Sequence, residues 1–469
     1  MVPPAAGRCG ATASPMHHPA DRTDAAYVHD VPYPAHFHRE TMPAWLCATL
    51  TAMGLKSPDL ARPYTYLDLG CGSGLNTLIA AATNPLGQFL GIDIHPGAIA
   101  QARARAQALG VHNLRYECLD FAAATQSPAA LPACDFMVCH GVYSWIAPPQ
   151  RQALRQLVQQ RLKPGGVFYL AYMSQPGSSA MAATQKLLHL ATQPLPGSSA
   201  DQARAGVAWL QHLTQQGLGH FVEQPRLVQE IDRLAALDAD YLAHELLNPH
   251  WDSLHVADVM ADLDAVDCRY AASATPLENL DAVSLPGQSL PAFQALQRQG
   301  ASPALLETFK DVARNQNQRR DLYLRQHPAG LALPSEEHRQ ALLRQRIGLL
   351  PAAPQKLPPT QGELVLDTRI GPVHLPVAQV APLITALRHG AASYAELARL
   401  PAYAHQPGLI SQLLQVLAWA GWLHVLLPAG TGPVATALAP LNTYLRMVTV
   451  GQPPTALQAL EAIGSAVPA

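Results

Sequence analysis

The sequence predicts an α/β protein whose main body is a doubly wound, mostly parallel sheet. Three observations carry that prediction. The stretch Tyr64–Asn76 reads as a short buried strand, a glycine turn and an apolar helix that stops before Asn84-Pro85. From Tyr64 to Tyr172 apolar strand-length runs alternate with helix-length ones, the pattern of a parallel sheet with crossover helices. The runs end in polar groups, at Asp93, Asp120 and His140, and open α/β sheets bind ligands at those strand ends.

The chain has 469 residues, enough for two or three domains with ample core. A net charge of −2 with 14% charged residues leaves no basic field for nucleic acid and no polybasic membrane patch. Seven scattered cysteines without a C-x-x-C fit free thiols in a reducing compartment, with no disulfide framework and no metal site. Residues 1–26 read as a disordered tail, because Met1–Pro19 is rich in Pro, Ala and Gly and lacks a signal peptide's apolar core. The longest apolar run, Leu409–Leu427, is interrupted by Ser411, Gln412, Gln415, Gly421 and His424, so it reads as a core helix entering a strand and no membrane span is expected. A cytoplasmic location follows from these features together.

Taken in order, residues 27–62 hold an extended, proline-stiffened segment, Tyr27–Pro34, and a helix with Thr41 as N-cap, Pro43 in the first turn and Gly54 at C′. Trp45, Leu46, Thr49 and Met53 are its inward face. The segment suits a lid over a cofactor and equally a packing arm. The core, residues 63–192, begins with strand Tyr64–Leu69 and continues through Gln88–Asp93, Leu114–Cys118, Asp135–Cys139 and Val167–Tyr172. The helices between them run over Leu75–Thr83, Pro96–Leu109 and Pro149–Leu162, and Lys163-Pro164-Gly165-Gly166 turns into the fifth strand.

The glycine turn defines the ligand. Its spacing is G-x-G-x-G, with Asp68 two residues before Gly70, which is neither the dinucleotide fingerprint nor a phosphate loop. Glycines let backbone approach a ligand, and Asp68 adds a negative group. That combination suits a ligand with a cation and an amino group, S-adenosylmethionine. Asp93 can accept both ribose hydroxyls, or serve only as a charge at a helix N-terminus. Asp120 can accept from the adenine amine with Leu119 or Phe121 on a ring face, or merely cap a turn. The candidate cofactor set is Asp68, Gly70, Cys71, Gly72, Gly74, Asn76, Asp93, Ile94, Asp120, Phe121 and His140.

Asp68, Gly70, Gly72 and Gly74, Asp93, Asp120-Phe121 and Leu162–Gly166 together resemble the class I S-adenosylmethionine-dependent methyltransferases over residues 62–175. Val31-Pro32-Tyr33-Pro34 with Thr41-Met42-Pro43, His140–Trp145, Tyr241–Asn248 and Trp251–Val259 are similar to bacterial methyltransferases that carry a methyltransferase regulatory domain, some of them similar to rickettsial-type protein lysine methyltransferases. The resemblance implies a Rossmann-like core with a seven-stranded sheet, S-adenosylmethionine as cofactor and a protein-lysine acceptor. Two departures stand out. His95 occupies a position that is usually Ser, and Tyr172–Ser178 replaces a Tyr-Asn-Thr-Tyr-Pro-Gly-Trp-like run beside the substrate mouth.

Gln193–Ser199 reads as a boundary, and residues 200–330 as a helical regulatory or substrate region that either completes the core sheet or folds apart from it. In the first case Cys268–Ala272 is the sixth strand and Arg319–Arg325 an antiparallel seventh. His244, Glu245, Asn248, His250 and Trp251 are tempting as a site, but His244 and His250 are six apart and do not share a helix face as zinc ligands would. The plainer reading makes them the polar end of a helix. Residues 331–362 read as a proline-rich linker and 363–469 as a winged-helix-like domain, with a helix from Pro382 and a Ser393/Glu396 capping box. Its few basic residues favour protein contact over DNA.

The expected reaction is in-line displacement at the sulfonium methyl, to which the protein contributes alignment and a deprotonated nucleophile. Tyr33, Tyr143 and Trp145 are candidates for an aromatic slot that desolvates an amine, and His140 for its proton acceptor or for a structural histidine. The methyl acceptor is a protein lysine or another amine. A small-molecule methyltransferase is the alternative enzyme, and a non-catalytic S-adenosylmethionine-binding scaffold the alternative of another class. A homodimer stays open.

Overall fold

The computed structural model describes residues 28–126, 131–326, 328–368, 370–428, 437–448, 450–451 and 455–469. The expected tail lies outside the described residues.

After an extended segment, helix α1 (Pro43–Ala52) precedes the main sheet. Its N-cap is Met42, not Thr41, whose hydroxyl instead donates to the His38 carbonyl (2.8 Å) in a preceding 3₁₀ turn. Trp45, Leu46 and Thr49 face inward as expected. Met53 sits beyond the last turn and is 39% exposed, leaving Leu50 to complete the buried face. Gly54, at φ +72°, is the C′ residue.

Strand β1 (Tyr64–Leu69), α2 (Leu75–Thr83), β2 (Gly87–Asp93), α3 (Pro96–Ala108), β3 (Leu114–Cys118), α4 (Phe121–Gln126), β4 (Cys134–Cys139), α5 (Pro148–Arg161) and β5 (Leu162–Met173) then alternate. Helix α4 went unread, because its six residues carry no helical period of their own. Lys163–Gly166 is a bulge within β5 and not a turn before it. Cys134 pairs Leu162 and Phe136 pairs Val167, and Lys163 is held by Asp135 (2.8 Å).

Next come α6 (Ser179–Thr192), α7 (Ser199–Thr214), α8 (Gly219–Val222), α9 (Pro225–Leu234) and α10 (Ala239–Leu246). Gln193–Ser199 is no boundary in packing terms. Leu188 of α6 shares one apolar cluster with Val207 and Leu210 of α7, Ile231 of α9 and Leu242 of α10, and Val28 and Val31 of the entering segment join it. The chain returns to the sheet with α11 (Val256–Asp264) and β6 (Cys268–Ser273). It leaves through α12 (Asp281–Ser284), α13 (Leu290–Arg298) and α14 (Pro303–Arg314), and inserts β7 (Gln318–Arg325). The sheet order is β3-β2-β1-β4-β5-β7-β6, with β7 antiparallel to both neighbours.

Beyond it, α15 (Pro328–Leu331), α16 (Ser335–Arg344) and β8 (Arg346–Leu349) take up the first part of the expected linker. Ile347 of β8 is buried in the next core, so this stretch is structural. A hairpin of β9 (Glu363–Thr368) and β10 (Gly371–Pro376) leads into α17 (Val377–Arg388), which starts five residues before Pro382 and carries it inside. Then follow β11 (Ala392–Ser393), α18 (Tyr394–Ala398) with its Ser393/Glu396 capping box, α19 (Pro407–Trp419) and β12 (Leu423–Val425). Strand β8 is the centre of a β11-β8-β12 sheet. The last elements, α20 (Leu438–Met447), β13 (Leu457–Leu460) and β14 (Ser465–Pro468), leave that domain. Leu441, Leu445, Leu457 and Ala466 join the core on the α2 face of the main sheet, and Asn84 donates to the Gly464 carbonyl (3.0 Å). The expected single domain over 363–469 is therefore two bodies. Among the described residues no helix is long and apolar enough to cross a membrane.

Candidate active site

The turn after β1 is built from backbone that only glycine accommodates. Gly70, Gly72 and Gly74 have φ of +78°, +52° and +75°. A Cβ at Gly70 would lie 2.4 Å from Val142 and one at Gly74 2.6 Å from the Tyr116 ring, whose hydroxyl donates to the Gly74 carbonyl (2.6 Å). A Cβ at Gly72 would meet nothing within 4 Å, because that residue faces open space. Gly72 N–H donates to one oxygen of Asp93 (2.8 Å) and His95 N–H to the other (2.9 Å). His95 then caps α3, its Nδ1 accepting from Ala98 N–H (3.0 Å), which is the work a Ser does at that position.

Asp68 is buried and accepts from the Thr77 hydroxyl (2.6 Å). Burial pushes its carboxyl up to about 7, and Asp93 adds to the push. Asp120 accepts from the Ala122 and Ala123 amides with one oxygen and from Gln150 (2.8 Å) with the other. It caps α4 while lining a cavity.

Two adjoining cavities open over the strand ends. One, of about 180 Å³, is lined by Tyr33, His36, His38, Asp68, Gly70, Cys71, Gly72, Asn76, Asp93 and His140. The other, of about 330 Å³, is lined by Ile94, Leu119, Asp120, Phe121, Trp145, Gln150, Glu245 and His250. Tyr33, Gly70, Asp93, Gly141, Val142 and His244 border both. Of the expected set, only Gly74 and Tyr143 line neither. Gly74 acts through the turn. Tyr143 is buried in the core, 1% exposed, with its hydroxyl held by Arg155 (2.8 Å), so it cannot form a slot. Trp145 borders the Asp120 cavity, apart from His140, and its indole N–H has no partner among the described residues.

The His140 wall was only half legible. Its Nδ1 lies 2.8 Å from the Tyr169 hydroxyl, and its ring stacks on His38 at 3.5 Å between centroids. His38 stacks in turn near His36 at 6.1 Å, and its N–H donates to Asn76 (2.9 Å). Burial lowers the basicity of all three imidazoles, His38 to about 4 and His140 well below the ordinary value. His140 is thus a weak base with one nitrogen engaged, and its ring forms part of the cavity wall. His36 and His38 alternate along an extended segment, a period-two pattern that would have placed both on one face.

The second half supplies the remaining wall. His244 pairs with the Val31 carbonyl (3.0 Å) and meets the Tyr33 ring at 5.1 Å. The helix-end reading holds for Trp251, whose indole donates to the Glu245 carbonyl (3.0 Å), and for Asn248, which accepts from His250 N–H (3.0 Å). His244, Glu245 and His250 line the cavities as well. Tyr172–Ser178, expected at the substrate mouth, lines neither cavity. Tyr172 and Ser174 instead bond Asp321 (2.8 Å) and Asp311 (3.2 Å) in a buried ion cluster around Arg319, which pairs with Glu307, Asp311 and Asp321. No group of three or more His, Cys, Asp or Glu among the described residues is placed to hold a metal ion.

Comparison with known proteins gives the family and the fold. Residues 61–226 match the family model described as a methyltransferase domain, and residues 238–325 the one described as a predicted methyltransferase regulatory domain. An uncharacterized protein of Synechocystis is 30% identical over 371 residues, which cover 79% of this chain and 70% of that one. An uncharacterized protein of Rickettsia prowazekii is 26% identical over 48% of this chain and 89% of its own length. Among solved structures, PKMT2 from Rickettsia typhi superposes with a TM-score of 0.68 at 17% identity, covering 93% of this chain and 86% of that one. The same protein in complex with AdoHcy gives 0.64 at 19%, covering 84% and 77%.

Proposed function

This chain belongs to the class I S-adenosylmethionine-dependent methyltransferases that carry a methyltransferase regulatory domain, and on that premise we propose that its acceptor is an amine, the side chain of a protein lysine. The protein is a methyltransferase and S-adenosylmethionine is its cofactor. The residues present fit that cofactor. Gly72 offers uncovered backbone beside Asp93, Asp68 and Asp93 suit a cationic, hydroxyl-bearing end, and Ile94, Leu119 and Phe121 beside Asp120 suit a flat ring with an amino group.

The observation that carries the amine reading is the sign of the charge around the cavities. Asp68, Asp93, Asp120 and Glu245 line them, and among the described lining residues there is no Lys or Arg. A carboxylate acceptor would enter unpartnered and against like charge, whereas a cation is attracted. The bound cofactor supplies a methyl group already activated for transfer. The chain's own work is to align the acceptor, exclude water and favour a neutral nitrogen. His36, His38 and His140, neutral at pH 7, desolvate an amine without repelling it and so lower its pKa. The Tyr169 hydroxyl on the His140 ring and the Asn76 side-chain oxygen, which accepts from the His38 backbone N–H, hold that stack in place. Tyr33, 42% exposed at the shared border, gives a side chain on a protein surface a route inward, and the sequence resemblance to protein lysine methyltransferases supports the same acceptor.

The test is transfer of labelled methyl from S-adenosylmethionine into a bacterial extract, split into protein and small-molecule fractions, with acid hydrolysis of the protein. Methylated lysine is expected. Label confined to small molecules, or to another amino acid, would overturn the acceptor.

A further inference from the structure

The four acidic residues at the cavities are not equivalent. Asp68 is bonded to Thr77, Asp93 to two backbone amides, and Asp120 to two amides and Gln150. The carboxylate of Glu245 alone has no hydrogen bond or ion pair with any described residue, although it is only partly exposed. Its backbone is fixed from both sides. Asp238 caps α10 through the Asp240 and Tyr241 amides (3.0 and 3.2 Å), and the Trp251 indole clamps the Glu245 carbonyl. A sheltered, unpaired carboxylate on a rigid helix costs stability, and nothing else in the fold uses it.

We propose that Glu245 receives the cationic head of the acceptor and takes its proton, so that the amine reaches the imidazole slot neutral. The proposal rests on the amine reading above and adds the residue that selects for it. Glu245 lines the larger cavity, which it shares with Trp145, with Tyr33 and His244 that border both cavities, and with the Ile94, Leu119, Asp120 and Phe121 wall that suits the cofactor's ring. Aromatic faces beside a carboxylate favour an ammonium twice over, by charge and by the ring quadrupole. In the proton step an ammonium N–H bond breaks and a carboxyl O–H bond forms, and the proton passes on to solvent from the partly exposed side chain. The other titratable groups here are Tyr33 from the entering segment, Tyr241 and His244 on α10, His250 beyond it, and Asp93 and Asp120 at the strand ends. None is a lysine or arginine that would neutralise Glu245. Burial pushes the Glu245 carboxyl up to about 7, where it is ionised often enough to attract and basic enough to hold a proton.

The full-length protein tests this as wild type, Glu245→Gln and Glu245→Asp, with bacterial extract protein as acceptor from pH 6 to 9. Glu245→Gln is expected to lose tenfold or more of lysine labelling at pH 7 and to recover part of it at pH 9, where the free amine supplies itself. Glu245→Asp should keep most of the activity, and AdoHcy binding by calorimetry should stay within twofold in both. Equal labelling by wild type and Glu245→Gln across the pH range would overturn the proposal and leave the lysine reading standing. Wild-type label on something other than lysine would remove both. Lost AdoHcy binding in both variants would make Glu245 structural and also overturn it.

Discussion

The walls that suit the cofactor and those that suit the acceptor run through both cavities and differ in how they are made. The walls that suit the cofactor come from consecutive strand ends of one continuous half, Tyr64 to Trp145, each residue placed by its own strand and turn. The acceptor's wall is assembled from His36 and His38 before the sheet, His140 within it, and His244 and Glu245 more than a hundred residues later. The first depends on local backbone geometry and the second on distant packing. Substitutions should therefore separate the two.

The largest effect is expected far from both. Arg319→Ala leaves Glu307, Asp311 and Asp321 buried without their cation and should destabilise the protein by about 3–5 kcal/mol, read by urea denaturation. Full stability would mean that the cluster does not hold the second half to the sheet. Asp93→Ala releases the Gly72 and His95 amides and should weaken S-adenosylmethionine binding about 100-fold, near 2.7 kcal/mol, by calorimetry. Unimpaired binding would sink the cofactor site. His38→Ala should do the reverse, leaving cofactor affinity within twofold while methyl transfer falls about tenfold, because it removes only the ring stacked on His140. If both readouts fell together, the two walls would not be separable.

The smallest effect is a slope. With the Asp68 carboxyl raised to about 7, a cationic ligand must displace its proton below that pH. Cofactor affinity should rise a few-fold from pH 6 to 8 with proton release, and Asp68→Asn should flatten the rise. The folded protein itself carries an opposite pair of signs. His38, lowered to about 4, leaves the unfolded chain binding more protons between pH 4 and 6.5, so stability drops as pH falls through that window. Asp68, raised to about 7, costs stability as pH rises from 4 to 7.

Sequence reasoning reached the first half because its causes are local. A left-handed turn needs glycine where it stands, and a strand end puts its carboxylate where the sequence puts it. It failed on Tyr143 because nothing adjacent says that Arg155, a helix later, takes the hydroxyl into the core. Trp145, expected in an aromatic slot served by His140, lines the other cavity, since loop curvature is not written in spacing. The stretch read as a linker hid β8, whose central place in a small sheet depends on its distant partners β11 and β12. The same holds for Leu441, Leu445, Leu457 and Ala466, which pack on the α2 face of a sheet more than three hundred residues earlier in the chain.

Strand β7 has one more meaning. It lies between β5 and β6, pairing seven residues of β5 from Val167 to Met173, yet it falls inside the stretch matched as regulatory, 238–325. Removing that stretch would not unplug an accessory. It would strip a ladder of hydrogen bonds from the catalytic sheet and bare a long apolar edge to other chains. The two matched stretches thus share one sheet, and cutting the chain between them would leave each half with an unpaired strand edge.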